Sequence, residues 1–190
     1  MPPEELLTLK MDELHETMEP LINNTIDHVD ALFSILENHR HGNLTTNETF
    51  AAVQEQVEGL AWDYDFHNLT RVPIATATFG PAETGEDLEY SIVFVVDELI
   101  EDMMTWIDNI LLYKKNASRD ADEMMLKLLA KDRANIDGDI ANLVVVASGV
   151  YSGQAGEQWK QVKAQEKQKE MMEAFLKNGG LRAIIPLREE

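Results

Sequence analysis

The sequence predicts an all-α protein, a bundle of six or seven helices in one domain over residues 1–190. Apolar residues recur every three or four positions through most of the chain, which is the helical period. The composition is that of a globular protein, with 44% hydrophobic and 27% charged residues. A long stretch without this period occurs at 63–86, where two prolines and two glycines predict an irregular insertion.

The first helices lie in an acidic segment, residues 1–62. A helical pattern runs over 3–18, and Pro20 is expected to end it because proline removes a backbone donor. A second helix is predicted over 21–38, with one apolar stripe that faces a core. Gly42 follows it and is suited to the left-handed conformation that often ends helices.

A capping box predicts where the next helix begins. Thr45 and Glu48 have the spacing of reciprocal side-chain to backbone caps, so a helix is expected over 46–62. Residues 63–86 then read as a loop or a short strand, since the run at 72–78 is rich in β-branched residues. Such an insertion is a natural place for a lid or a partner-binding segment.

The core helices are predicted within 87–178. Asp87 is expected to cap a long helix that ends near residue 115, and another helix should run from about 120 to Ile136. Gly138 is expected to interrupt that helix. The nearly all-apolar segment 139–151 should form a further helix that is buried on most sides.

An amphipathic helix is predicted over 155–177, ending at Gly179–Gly180, with an extended tail over 179–190. Its lysines alternate with glutamates, so it reads as an exposed face. That face could dock on the acidic N-terminal half, in the same chain or in another copy, and we expect a homo-oligomer. The lysines are Lys160, Lys163, Lys167 and Lys169.

The charge is the strongest bulk feature of the chain. The net charge is −19, and residues 1–110 hold 23 acidic residues against Lys10, Arg40 and Arg71. A field of this sign repels nucleic acid and anionic membranes, and it attracts basic proteins or divalent cations. A solubility surface explains the same charge without any partner.

Other bulk features of the chain exclude several kinds of site and of protein. The chain has no cysteine, which excludes disulfides, thiolate metal sites and cysteine nucleophiles. No apolar run approaches the length of about 18 residues that a membrane span needs. The N-terminus is acidic and polar, unlike a signal peptide, so a cytoplasmic location is expected.

Four acids lie on one of the most hydrophobic segments, IVFVVDELIEDMMTWI at residues 92–107. Asp97 and Asp102 fall on the two flanks of its apolar stripe, and Glu98 and Glu101 fall further toward solvent. These acids are either the solvated flanks of a core helix or part of a metal site. A metal site needs carboxylates from a second element as well.

That second element could be the helix that begins at NIDGDIAN. Asp139 and Asn142 lie one turn apart at the start of a buried helix, close to Asp137. Acids at a helix N-terminus also interact favourably with the helix dipole, so this cluster does not require a metal. The two interpretations stay open.

The second cluster also resembles a known family. The segment DIANLVVVASGVYSG followed by EQWKQV is similar to the Asp-x-x-Asp helix, apolar run, glycine and Trp-x-x-Val of phage members of the all-α nucleoside triphosphate pyrophosphohydrolases, the MazG-like family. With the Glu-x-x-Glu of the preceding helix, the resemblance covers residues 92–165. It implies an all-α enzyme that uses Mg²⁺ to hydrolyse nucleoside triphosphates.

When the family's motifs are aligned with this sequence, the resemblance implies four Mg²⁺ ligands: Glu98, Glu101, Asp139 and Asn142. Asp102 would be a neighbour of these ligands. Asn142 stands where the family has a ligand aspartate, and the gap between the two motifs is longer than usual. The segment YSGQAGEQWKQV is also similar to the Trp-x-Gly turn of small secreted helical-hairpin proteins, with Tyr151 at the tryptophan position.

Two hypotheses for the function follow. The first is a Mg²⁺-dependent pyrophosphohydrolase, or a degenerate relative, that binds a nucleotide. The second is a non-enzymatic acidic helical protein that binds a basic protein partner, as an inhibitor or a DNA mimic would. The enzyme requires Glu98, Glu101, Asp102 and Asp139 to face one pocket, whereas the interaction protein requires its acids on a convex surface.

Overall fold

The computed structural model of the chain describes residues 3–64, 72–116, 119–149 and 154–180. These residues contain helices and no strand, which confirms the all-α prediction. The described residues form five α-helices, so the prediction of six or seven is wrong. The helices are α1 (Pro3–Arg40), α2 (Thr46–Asp63), α3 (Gly85–Asn116), α4 (Arg119–Ser148) and α5 (Gln154–Lys177).

The helix break predicted at Pro20 is absent. The helix α1 runs without interruption through this residue. A proline inside a helix removes one hydrogen bond and costs about 3 kcal/mol. Pro20 is exposed, while Met18 is buried and Leu21 and Ile22 pack against the core. Because each buried apolar side chain contributes about 1.5–3 kcal/mol, packing on both sides offsets the cost of the proline.

The second predicted break, at Gly138, is also wrong. Glycine inside a helix costs only about 1 kcal/mol relative to alanine. Ile136 and Ile140 flank it and are fully buried, so packing holds the backbone helical on both sides. The apolar run at 143–147 is buried throughout, as its composition predicts.

Side-chain caps fix where two helices begin. The predicted capping box of α2 is confirmed, since Thr45 Oγ1 accepts from Glu48 N at 3.3 Å and Glu48 Oε2 accepts from Thr45 N at 2.8 Å. At α3, Thr84 Oγ1 accepts from Asp87 N, and Asp87 Oδ2 accepts from Glu83 N. Asp87 therefore lies in the first turn, and the cap is Thr84, three residues earlier than predicted.

The described part of the predicted insertion, residues 72–84, is irregular and contains one short 3₁₀ turn, Ile74–Thr76. A strand at 72–78 is therefore not formed. Val72, Ile74 and Ala82 are buried, and Ala82 N donates to Val146 O of α4 at 3.2 Å. The segment is thus fastened to the bundle, while residues 65–71 lie outside the described residues.

The helices pair into two hairpins that pack on each other. The loop at 41–45 joins α1 to α2, and α3 packs along α4. Because α1 also contacts α3 and α2 contacts α4, the four helices enclose one apolar core. This arrangement makes the α3–α4 seam a place where side chains of two helices meet.

The last helix, α5, packs against α4 and the segment 72–84 through its first turns. Its Trp159 ring lies against Gly80, where an added Cβ would come within 3.2 Å. The predicted end at Gly179–Gly180 is confirmed, with positive φ at both glycines. Of the predicted tail at 179–190, residues 181–190 lie outside the described residues. No helix in the described parts of the chain is long and apolar enough to cross a membrane.

Candidate functional site

Polar side chains meet at two levels of the α3–α4 seam. Asn109 Nδ2 donates to Asp132 Oδ2 at 2.7 Å, and the Asp102 and Asp139 carboxyls share a hydrogen bond. Asn109 lies seven residues after Asp102, and Asp132 lies seven residues before Asp139. Since seven residues are about two helical turns, both pairs lie on one antiparallel seam. The helix containing DIAN therefore lies against the acidic helix, as the enzyme hypothesis requires.

Asp139 is the most perturbed acid of this seam. Its side chain is only 6% exposed, and its Oδ2 atom has no hydrogen-bond partner. Burial raises its pKa to about 8, with further contributions from the hydrogen bond to Asp102 and from the negative charges of Asp102 and Glu98. At neutral pH the carboxyl is therefore largely protonated when no cation is present.

The acids of α3 differ in their distance from this centre. Asp102 is half-buried, while Glu98 and Glu101 are exposed. The charges that raise the Asp139 pKa come from Asp102 and Glu98, and Glu101 is not one of them. Asp97 is exposed and lines a groove that Phe33 of α1 also lines. Among the predicted ligands, Asp102 contacts Asp139, and Glu98 lies close enough for its charge to raise the pKa of Asp139.

Asn142 has a different set of contacts. Its side chain is buried, and its Oδ1 accepts from the backbone N–H groups of Thr78 at 2.7 Å and Phe79 at 3.2 Å. The Thr78 hydroxyl lies 3.5 Å from the same oxygen. Asn142 therefore anchors the segment 72–84 to α4, and it would have to give up these bonds to hold a metal.

The anchored segment runs beside the acidic cluster. The Phe79 ring packs against Phe94 of α3, with ring centroids 5.5 Å apart. Phe94 lies one turn before Glu98, and Asn142 lies one turn after Asp139. The segment thus covers the seam one turn away from the three acids, and Glu98 stays open to solvent on the other side.

The carboxylates of Glu98, Asp102 and Asp139 are the kind of ligand that binds hard cations. Their present arrangement is not that of a metal site. Carboxylate oxygens are the ligands that Mg²⁺ prefers, and the unpaired Asp139 oxygen is a free acceptor. Within the residues that the structure describes, no three or more His, Asp or Glu side chains are grouped so that they could hold a metal ion. Holding a cation would therefore require the exposed Glu98 side chain to change rotamer.

A second polar cluster on α4 joins Asp137, an acid of the NIDGDIAN segment, to Arg133, which the sequence patterns did not single out. Arg133 Nε donates to Asp137 Oδ1 at 3.2 Å, and its guanidinium lies 5.0 Å from the Tyr64 ring centroid and 5.8 Å from that of Trp106. Burial raises the pKa of Asp137, and Arg133 opposes that effect. The i, i+4 spacing of Arg133 and Asp137 is the signal that could have found this pair.

A polar side chain of α1 also joins the bundle. His28 Nδ1 lies 2.9 Å from Gln56 Oε1, and His28 Nε2 lies 3.1 Å from Asp63 Oδ2. Both partners are on α2, so this histidine joins the first hairpin. Its contacts give it a structural role.

Comparisons with protein-family models, with curated proteins and with solved structures find no match to this chain. The resemblance to the MazG-like family therefore rests on the sequence motifs alone.

Proposed function

We propose that this protein is a Mg²⁺-dependent, MazG-like nucleoside triphosphate pyrophosphohydrolase in which Glu98, Asp102 and Asp139 hold the cation. The observation that supports the proposal is the buried Asp139 carboxyl, whose Oδ2 has no partner while Asp102 and Glu98 lie beside it. A cytoplasmic location, where nucleotides and Mg²⁺ are abundant, is consistent with this function.

Electrostatics supports a cation at this place. Placing ionised carboxylates side by side in a partly buried seam is unfavourable, and the pKa of Asp139 is raised by its burial first and by the neighbouring Asp102 and Glu98 second. A divalent cation would neutralise two of these charges and use the oxygen that is unpaired. Packing against α3 holds Asp139 in place, whereas the exposed Glu98 can turn toward an ion.

The substrate class is the one that the resemblance to the MazG-like family implies, and the charges of the chain determine how such a substrate can approach. A triphosphate is repelled by a chain of net charge −19, so it needs a cation to approach these acids. Bound Mg²⁺ supplies Lewis-acid activation of a phosphoryl oxygen or of water. The acids of the seam would orient that ion, and Asn142 would keep the segment 72–84 folded beside it.

The test is a hydrolysis screen of nucleoside triphosphates with Mg²⁺ or Mn²⁺, measuring release of pyrophosphate and nucleoside monophosphate. We expect release by the wild type and a loss of about tenfold to a hundredfold or more in Asp102→Asn. Asp97→Asn is the matched control, since it removes the same charge from the other flank of α3 and should keep full activity. Absence of pyrophosphate release, or equal rates in both variants, would overturn the proposal.

A second candidate is a non-enzymatic acidic helical protein that binds a basic protein. The observations that favour it are the use of the Asn142 oxygen by Thr78 and Phe79, and the exposed acids on α1 and α2, such as Asp27, Glu37 and Glu58. Binding of an oligolysine peptide that weakens steeply with salt and is indifferent to Asp102→Asn would support it.

A further inference from the structure

An apolar groove runs between α1 and α3, and we call it the α1–α3 groove. It has two lobes of about 740 Å³ and 300 Å³, which share Phe33 and Ile100. Its walls include large apolar side chains that are unusually exposed, with Tyr90 at 70% and Met104 at 59%. Val93 and Phe94 are exposed in the same groove. Adjacent exposed apolar side chains that line one groove are a feature of interaction sites.

A second apolar surface lies on the distal part of α5, residues 164–177, which we call the α5 arm. Every residue of the arm is exposed. It nevertheless has four large apolar side chains at helical spacing: Met171, Met172, Phe175 and Leu176. Met172 and Leu176 lie two and three turns beyond Gln165, which faces the segment 72–84. The arm therefore extends the face with which α5 contacts the bundle.

We propose that the α5 arm of one copy of this chain binds in the α1–α3 groove of a second copy, and that the exchange is reciprocal. An amphipathic helix that places its apolar face in an apolar groove is a recurrent recognition mode. A two-fold dimer would use each arm and each groove once, which covers both exposed surfaces together. Such a dimer does not depend on the metal site.

Charge complementarity selects this occupant. The larger lobe of the groove is lined by three acids, Glu86, Glu89 and Asp97, and by Arg40, which pairs with Glu89. Over residues 164–177 the arm has three lysines and three glutamates, so it carries no net charge in a chain of net charge −19. At about 100° per residue, Lys167 and Lys169 lie on the two flanks of the apolar stripe, whereas the glutamates lie on the opposite side of the helix. The face that would enter the acidic groove is therefore basic.

The lengths of the two surfaces also agree. The apolar stripe and its flanking lysines extend from Lys167 to Leu176, nine residues or about 14 Å along the helix. Glu86 and Asp97 lie eleven residues or about 17 Å apart along α3 in the larger lobe. A docked arm can therefore place Lys167 or Lys169 near an acid of the groove while its apolar side chains fill the groove.

The groove that receives the arm belongs to another copy. Trp159 against Gly80 and the contacts of Val162 with the segment 72–84 fix the base of α5 on the side of α4. From that base the arm stays exposed along its whole length. The α1–α3 groove of the same chain is lined by two other helices.

The test measures oligomeric state by analytical ultracentrifugation over micromolar concentrations of the full chain. Leu176→Glu disables the arm, and Val93→Glu disables the groove. Both sites are exposed, so the fold should be kept, as circular dichroism can verify. We expect a wild-type dimer and a dissociation constant at least about tenfold weaker in each variant. Met124→Glu, at an exposed residue of α4, is the matched control and should dimerise like the wild type.

Mixing the two variants gives the sharpest readout. The Leu176→Glu chain keeps its groove and the Val93→Glu chain keeps its arm, so an equimolar mixture should form a heterodimer with one intact contact. Native mass spectrometry distinguishes that heterodimer from each homodimer. A monomeric wild type, a dimer indifferent to both substitutions, or no recovery on mixing would overturn the proposal.

Discussion

The Asp139 carboxyl of α4 is hydrogen-bonded to the Asp102 carboxyl of α3, and its buried Oδ2 atom accepts no hydrogen bond from an N–H or hydroxyl group of the described residues. Two acids in contact can share this arrangement only when a proton or a cation lies between them. Each state of the pair has consequences for stability that can be measured apart from any activity.

The first prediction concerns pH in the absence of metal. The folded-state pKa of Asp139, about 8, is above its ordinary value of 3.8, so the folded protein holds a proton that the unfolded chain has lost between those values. The contribution of Asp139 to stability therefore falls as pH rises from about 4 to 8, by at most about 1.4 kcal/mol per pH unit, and then levels off. Urea unfolding with a chelator between pH 5 and 9 measures the slope.

The second prediction is that Asp139→Asn stabilises the metal-free protein at pH 8. The amide removes the repulsion with Asp102 and Glu98 and can donate a hydrogen bond to the Asp102 carboxylate, which contributes about 1.5–3 kcal/mol. The variant should also lose the pH slope between 5 and 8. Asp97→Asn has the same net charge and should change the free energy of unfolding by no more than about 0.5 kcal/mol. A destabilised Asp139→Asn protein at pH 8 would contradict the assigned contact.

A third prediction concerns the anchor between α4 and the segment 72–84. Asn142→Ala leaves the N–H groups of Thr78 and Phe79 without their acceptor, so we expect a loss of about 1–3 kcal/mol and faster proteolysis within 72–84. Asn135→Ala is the matched control on an exposed position of α4. Equal proteolysis rates in the two variants would show that Asn142 does not hold the segment.

The fourth prediction compares two glycines on or beside α4. Gly138 is helical, and a Cβ added there would meet only open space, so Gly138→Ala should stabilise the protein by up to about 1 kcal/mol. Gly149 has a φ of +38°, and an added Cβ would lie 2.1 Å from the Phe50 ring, so Gly149→Ala should destabilise it. Thermal unfolding of the two variants measures whether each substitution stabilises or destabilises the protein. A destabilising Gly138→Ala would argue against a continuous α4.

Local patterns predict much of this fold because they depend on residues close in sequence. The capping box of Thr45 and Glu48 and the buried run at 143–147 are of this kind. The breaks expected at Pro20 and Gly138 are absent because tertiary packing outweighs the local cost of those residues. Local propensity alone could not give that balance.

The candidate site likewise combines features that the sequence predicts with features that depend on tertiary contacts. The sequence identifies acids on two helices, but only the register of α3 against α4 selects Asp102 and Glu98 as neighbours of Asp139. The anchoring of the segment 72–84 by Asn142 depends on hydrogen bonds to Thr78 and Phe79, which lie 64 and 63 positions before Asn142 in the sequence. No pattern within one helix carries that information.

The most direct test of the proposed cation site is calorimetric titration of Mg²⁺ and Mn²⁺ into the wild type, Asp102→Asn, Glu101→Gln and the control Asp97→Asn. We predict saturable binding at or below about millimolar in the wild type, within the range of carboxylate sites. Binding should be lost in Asp102→Asn, kept in Asp97→Asn and little changed in Glu101→Gln. Absence of saturable binding to the wild type, or binding indifferent to Asp102→Asn, would contradict the site.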